Sequence, residues 1–293
     1  MQIGIDIGGT KTAVTVWDNE TLVRKIRFTT PGGPDAAITA IETAAREALA
    51  GNVPAVCGLC CGGPLDSRRG LILSPPNLPG WDEVPITRIL EDRFGCPCLL
   101  ENDANACAVA EWRWGAGQSC QNMIFLTFGT GMGAGLILDG RLYRGALDLA
   151  GEAGHIRLAE DGPEGYGKRG SFEGFCSGGG ISRAYAARTG VTISAAEVCE
   201  RAAHGEKTAL DVTGQCAFYL GRALAILIDL LNPDRIVLGS IYARAAGLFT
   251  AGMEAALLQE ALPLSRRRCA ILPAALGEEL GDRAALAVAL RLA

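Results

Sequence analysis

Thr127-Phe128-Gly129-Thr130-Gly131-Met132-Gly133-Ala134-Gly135 runs straight into Leu136-Ile137-Leu138. The apolar continuation has strand character, as do residues 123–128 before it, so the glycines occupy the turn of a β-hairpin. Two familiar nucleotide motifs are thereby excluded. The stretch is not G-x-x-x-x-G-K-[ST], and it is not a G-x-G-x-x-G that opens a helix. A second glycine turn lies near the start, Asp6-Ile7-Gly8-Gly9-Thr10-Lys11, between strand signals at 2–7 and 11–17. Glycine lets the backbone come close to an anion, with turn N–H groups aimed at it. An acid at the strand end suits a Mg²⁺ held between Asp6 and phosphate oxygens. Taken alone, an ordinary hairpin turn explains this stretch equally well. Two such hairpins in one chain suggest two jaws on one phosphate chain.

Outward from these turns, strand and helix signals alternate. Residues 22–29, 53–61 and 97–101 read as strands, and 35–50, 88–94 and 104–114 as helices. A second cycle starts at Asn122: strand, glycine turn, strand at 136–138, then a turn at Asp139-Gly140. It repeats the order of residues 2–20. Helices at 194–204 and 207–230, a strand at 236–238 and a last helix at 282–292 complete an α/β pattern.

The 293 residues are enough for about two domains. Hydrophobic residues at 49% and charged residues at 20% describe a globular chain, which excludes disordered, collagen-like and coiled-coil classes. With 27 Lys plus Arg against 32 Asp plus Glu, net charge −5, there is no basic footprint for nucleic acid. The start has no basic-then-apolar leader pattern and no apolar run reaches ~18 residues, so the expected location is cytoplasmic, without a membrane span. The 11 cysteines then read as reduced thiols. Cys57, Cys60, Cys61, Cys96 and Cys98 continue apolar strands, which favours small buried side chains over a zinc set.

Five stretches in order resemble the ROK family of sugar kinases and repressors, in the actin-like, hexokinase-like ATPase superfamily. They are the two glycine turns; Asn102-Asp103-Ala104-Asn105 with Glu111; Gly151-Glu152-Ala153-Gly154-His155-Ile156, the E-x-G-H sugar motif; and Leu231 to Gly239, which leads to the adenosine site. The resemblance spans nearly the whole chain. It implies an α/β, ribonuclease H-like fold with two lobes around a nucleotide- and sugar-binding cleft that closes on its substrates. The small lobe would be residues 1–112, the large lobe 113–281, with the last helix, 282–293, returning to the small lobe.

It also implies roles. Asp103 becomes the general base that takes the proton of the attacking sugar hydroxyl, although Asp at a helix start is also a common N-cap. Gly63, Asn77, Asn102, Glu152, His155 and Glu173 join Asp103 as sugar contacts. Asp6, Gly8, Gly9, Thr10, Lys11, Thr127, Gly129, Thr130, Gly131, Gly133 and Gly239 bind ATP, with Mg²⁺ at Asp6. His204 reads as a helix-end residue, and Trp81, Trp112 and Trp114 as packing residues. One departure stands out. The family's C-x-C-G-x-x-G-C-x-E zinc motif is here Glu164 to Glu173, with Glu164, Tyr166 and Ser171 in place of the cysteines. The expectation is no structural zinc, with Cys176 a weak substitute ligand.

The function implied is ATP-dependent phosphorylation of a hexose such as glucose, or of an N-acetylhexosamine, at O6, in a protein whose family commonly forms homodimers. The rival is a non-catalytic sugar-sensing regulator. The family's repressors carry a DNA-binding domain ahead of the first glycine turn; with Asp6 sixth in the sequence, none is expected here.

Overall fold

Ile3, Ile5 and Ile7 alternate with Gly4 and Asp6, so β1 (Gln2–Ile7) presents two different faces. The isoleucines enter a core built with Val14, Val16, Ile38, Ile41, Leu59 and Leu90. The opposite face is nearly flat and receives the last helix of the chain, Leu280–Ala289. Two glycines make that approach close. A Cβ on Gly4 would sit 3.1 Å from the Ala285 methyl, and one on Gly58 would collide with the backbone of Ala285 and Ala289.

The computed structural model describes residues 1–292 and divides into two compact units. Unit 1 holds Met1–Arg113, Leu142–Ala150 and the chain from Glu278 on. Its sheet combines β1 with β2 (Lys11–Asp18), β3 (Thr21–Thr29), β4 (Val56–Cys61) and β7 (Cys98–Asn102) in the order β3-β2-β1-β4-β7. β1, β2 and β3 form an antiparallel meander, while β4 and β7 join in parallel. The parallel joins require crossovers, supplied by α1 (Pro34–Leu49), the short hairpin β5 (Leu65–Asp66) and β6 (Leu71–Ile72), and α2 (Ile86–Phe94). α3 (Asp103–Trp114) follows β7 with no intervening loop.

Leu142–Ala150 falls outside the residues the sequence assigned to the small lobe. Two anchors bind it to unit 1. Arg144 donates from Nε to Glu101 Oε2 at 2.8 Å, and Asp148 accepts from the Ser67 backbone and hydroxyl, both at 2.8 Å.

Unit 2 holds Trp114–Arg141 and Gly151–Gly277. Its sheet repeats the first pattern: β8 (Met123–Leu126) and β9 (Ala134–Leu138) are antiparallel, with β10 (Arg141–Leu142) at the edge. The hairpin β11 (Glu164–Gly165) and β12 (Lys168–Arg169) precedes the helices α4 (Phe172–Cys176), α5 (Gly178–Thr189), α6 (Ala195–Ala203) and α7 (Lys207–Leu231). β13 (Arg235–Leu238) then pairs in parallel with β8; α8 (Ser240–Glu260) and α9 (Pro263–Arg268) lead to β14 (Ala270–Pro273), parallel to β13.

Several elements differ from the sequence expectation. The strand expected from residue 53 starts at Val56, behind Pro54. The strand expected to 128 ends at Leu126, because Phe128 takes φ +37° to enter the glycine turn. α4, α5, α8 and α9 were not expected. α7 has the length and hydropathy of a membrane span, yet half of its most apolar window is buried inside unit 2 and the helix packs along α8.

Candidate active site

In unit 1, the first glycine turn closes on itself: Gly8 N donates to Lys11 O at 3.0 Å. Thr30 at the end of β3 locks it, its hydroxyl donating to Gly8 O at 2.6 Å and its N–H to Thr10 O at 3.0 Å. Gly9, Thr10 and Lys11 are exposed. The backbone of Asn77 lies against Gly9 so closely that a Cβ on Gly9 would strike the Asn77 carbonyl. A Cβ on Gly62 would lie 3.4 Å from the Asn77 amide nitrogen and 3.8 Å from Asp103 Oδ2, and one on Gly63 would lie 3.2 Å from Asn102 Nδ2. The structure therefore gathers Gly9, Gly62, Gly63, Asn77, Asn102 and Asp103, which come from four separate segments.

Asn102, not Asp103, caps α3. Its Oδ1 accepts from Ala104 N at 2.9 Å and from Asn105 N at 3.4 Å. Capping satisfies helix N–H groups that have no partner within the helix. It occupies the Asn102 acceptor expected for sugar and leaves the amide donor beside Gly63. Asp103 accepts from Ala104 N through Oδ1 at 2.7 Å, and Oδ2 faces Gly62. Burial holds the Asp103 carboxyl above the usual carboxylate range.

Asp6 is half-buried between β4 and the last helix. The Cys60 thiol donates to Asp6 Oδ1 at 3.8 Å, and a Cβ on Gly281 would come within 2.7 Å of Asp6 Oδ2. Asp282, on the same helix, pairs with Lys25 of β3. Burial, followed by the charges of Asp103 and Asp282, pushes the Asp6 carboxyl up to about 6. The thiols of Cys60, Cys61 and Cys107 are raised by burial and stay neutral.

The shift at Asp6 has a consequence for stability. Its ordinary value is 3.8, so between pH 4 and 6 the folded chain holds more protons than the unfolded one. Stability therefore falls as pH rises through that window. Asp6→Asn is expected to stabilise the ligand-free protein at pH 7.5 by about 1–2 kcal/mol, a gain that vanishes toward pH 4. Urea unfolding at both pH values checks this; equal stability of the two proteins at pH 7.5 contradicts it.

In unit 2, the second glycine turn is fastened along its length. Gly133 N donates to Thr127 Oγ1 at 3.0 Å, and Ile241 N to Phe128 O at 3.0 Å. Gly178 N donates to Gly129 O at 2.7 Å and Gly179 N to Thr130 O at 3.1 Å. Ser177 caps α5, accepting from Gly180 N at 2.9 Å. The sequence reading passed over this Ser177-Gly178-Gly179-Gly180 stretch, although a Ser before small residues is itself a helix-start signal. Gly239 ends β13 against the end of β8, its N–H donating to Leu126 O at 2.9 Å.

Glu152 and His155 are exposed, on either end of the short turn Ala153–His155. Glu173, in the first turn of α4, is half-buried and accepts from Met132 N at 3.0 Å. A cavity of about 500 Å³ opens between the start of α6 and the start of α8, lined by Ala195, Cys199, Glu200, Ile241, Arg244 and Leu248 among others. It adjoins the glycine turn: a Cβ on Gly178 would lie 3.0 Å from Gly129 O and 3.4 Å from the Ile241 side chain. The α6 and α8 residues around it were also missed in the sequence.

The positions of the zinc motif carry no thiolate. Ser171 is fully buried as the N-cap of α4, accepting from Gly174 N at 3.1 Å. Tyr166 is exposed, with its ring 6.2 Å from that of His155, and Cys176 donates to Cys216 O inside the unit. A spent hydroxyl, a phenol and a surface carboxylate do not fit a structural zinc. The segment is instead cross-linked by Lys168 to His155 O at 2.7 Å and Arg157 to Arg169 O at 2.7 Å. His204 closes α6, its ring 2.8 Å from Glu200 O, and Trp81 is buried, as the sequence suggested.

A glucokinase from Streptomyces coelicolor is 33% identical over 258 residues, covering 82% of this chain and 81% of that protein. An N-acetylmannosamine kinase from Citrobacter koseri is 34% identical over 257 residues, with 84% of each chain covered. The crystal structure of a ROK family glucokinase from Streptomyces griseus in complex with glucose and AMPPNP superposes with a TM-score of 0.84, at 31% identity, over 99% of each chain. These likenesses agree with the actin-like ATPase fold. The pattern of the ROK family matches residues 2–291, a span that contains both glycine turns, Asp103 and the Glu152 to His155 motif, and the chain belongs to that family.

Proposed function

We infer that the protein is an ATP-dependent sugar kinase, which transfers the γ-phosphate of ATP to a hydroxyl of a hexose. Support comes from kinases of about one-third identity along most of the chain. The observation that carries the reading is Asp103. Asn102 takes over the capping of α3, which leaves Asp103 Oδ2 for substrate at a helix start, with a carboxyl that burial has already made more basic.

In this reading Asp103 accepts the proton of the attacking hydroxyl, with O6 of glucose as the first choice. In unit 1 the groups suited to sugar hydroxyls are Asn77, the Asn102 amide and the backbone at Gly63; in unit 2 they are Glu152, His155 and Glu173. The two glycine turns offer phosphate oxygens the backbone N–H groups that their internal bonds leave over, at Gly9 and Thr10 in one and at Thr130 and Gly131 in the other, and Gly239 lets the backbone near the nucleotide. The cavity between α6 and α8 takes the adenosine; its apolar walls suit a base. A Mg²⁺ would be held by Asp6, a hard oxygen donor whose carboxyl the charges of Asp103 and Asp282 already disfavour in its ionised form. When bound, the ion neutralises charge on the phosphates. The eleven cysteines are all free thiols, the state a cytoplasm maintains.

A coupled assay with ATP against a panel of hexoses and N-acetylhexosamines tests the reading. Turnover on one of them at kcat above about 1 s⁻¹ is the expected result. Sugar binding without turnover on any member would instead support the regulator. The metal reading has its own check. Purified protein should carry no stoichiometric zinc, and a chelator should leave its melting temperature unchanged. One zinc per chain by elemental analysis would refute this.

A further inference from the structure

Glu173 does more than face a substrate. Its Oε2 accepts from the Met132 backbone N–H at 3.0 Å, inside the glycine turn assigned to phosphate. The contact depends on glycine at two further points. A Cβ on Gly131 would lie 2.8 Å from Glu173 Oε2 and displace it. A Cβ on Gly154 would collide with the Met132 carbonyl and lie 3.3 Å from Glu173 Cβ. Three stretches far apart in sequence thus press on one peptide group: the glycine turn, the E-x-G-H motif, and the start of α4. α4 is itself fixed there by the buried cap Ser171. A carboxylate that accepts from a backbone N–H makes a charge-assisted bond, stronger than a neutral one.

We propose that Glu173 is a positioning residue of the phosphate turn, and that sugar binding reaches the nucleotide through it. Oε2 holds Met132 while Oε1 is the oxygen presented to a sugar hydroxyl. A hydroxyl that donates to Oε1 draws charge from the carboxylate and resets its grip on Met132. Sugar and nucleotide are then coupled within unit 2, and the coupling is reciprocal. The second half of this proposal rests on the sugar-contact reading of Glu173; the first half does not.

The test uses the full chain and two variants. Glu173→Ala removes the acceptor, and Glu173→Gln keeps an oxygen for Met132 while removing the charge. AMPPNP affinity, measured by calorimetry with no sugar present, should fall about tenfold in Glu173→Ala, the loss of one such hydrogen bond, and by a smaller factor of about threefold in Glu173→Gln, which keeps a neutral bond in place of the charge-assisted one. Wild-type affinity in Glu173→Ala overturns the positioning role. The chain has only four methionines, so ¹⁵N-methionine labelling isolates the Met132 amide without relying on the alanine variant. Its signal should move between wild type and Glu173→Gln, and should move in the wild type when the best sugar of the panel is added alone. A Met132 signal identical in wild type and Glu173→Gln overturns the contact itself. If the variant moves the signal but the sugar does not, the coupling is overturned and the positioning role stands. Unchanged sugar affinity in both variants would refute the sugar contact and leave the nucleotide result unaffected.

Discussion

Asp103→Asn should turn over at least about 100-fold more slowly than wild type, with sugar affinity changed by only a few fold. Asparagine keeps the shape of the side chain and can still accept from Ala104 N, the bond that Asp103 Oδ1 makes at 2.7 Å. It cannot take a proton. The capping of α3 by Asn102 is untouched, so the variant isolates the base from the scaffold. Wild-type kcat in a folded variant would remove Asp103 from this role. The pH profile offers a second reading of the same group. A base works ionised, and burial raises the pKa of Asp103. The acid limb of kcat/KM should therefore begin at higher pH than an ordinary carboxylate allows, with activity falling as pH drops through it.

Arg144→Met should cost about 3 kcal/mol of stability, which for units of this size is about 10 °C in the melting of unit 1. Glu101 is 1% exposed, and both of its oxygens are engaged. Oε1 accepts from Asn102 N at 3.0 Å and from Asn105 Nδ2 at 2.9 Å, while Oε2 accepts from Arg144. Methionine fills much of the volume of the arginine stem but leaves a buried carboxylate without its counter-charge. Adding Glu101→Gln should restore part of the loss, and the double-mutant cycle gives the coupling. Because Glu101 supports the backbone of Asn102, kcat should fall in the single variant as well. A melting temperature within about 2 °C of wild type would show that the pair contributes little.

The glycine turns and the repeated strand order could be read from the sequence itself, while the return of the last helix followed only from the family resemblance. Glycines clustered at strand ends, and isoleucines alternating along β1, leave a local signature. The missed elements lack one. α8 is apolar around much of its surface and bends at Ala245, which blurs the helical period. α5 begins with three glycines, poor helix formers, and is set by the Ser177 cap and by its bonds to the glycine turn. At the site, residue types were legible and their division of labour was not. Asp103 and Asn102 are both acceptable caps, and only the hydrogen bonds separate them. Arg144 lies 43 residues from Glu101, and no local pattern marks a partner so distant.

The seat that Gly4 and Gly58 form for the last helix sets an order of events during synthesis. The strands of that seat are made within the first 61 residues, but the helix that covers them ends at Ala289. At ordinary ribosomal rates the sheet face waits on the order of 10–50 s for its cover. Unit 2 is fully synthesised before then, since its last residue is Gly277. Unit 1, whose strands precede unit 2 in the sequence, is therefore completed after it. Until it is, the nascent protein carries an open sheet face, which makes the first unit the one that a chaperone must shield and a premature stop codon must cripple.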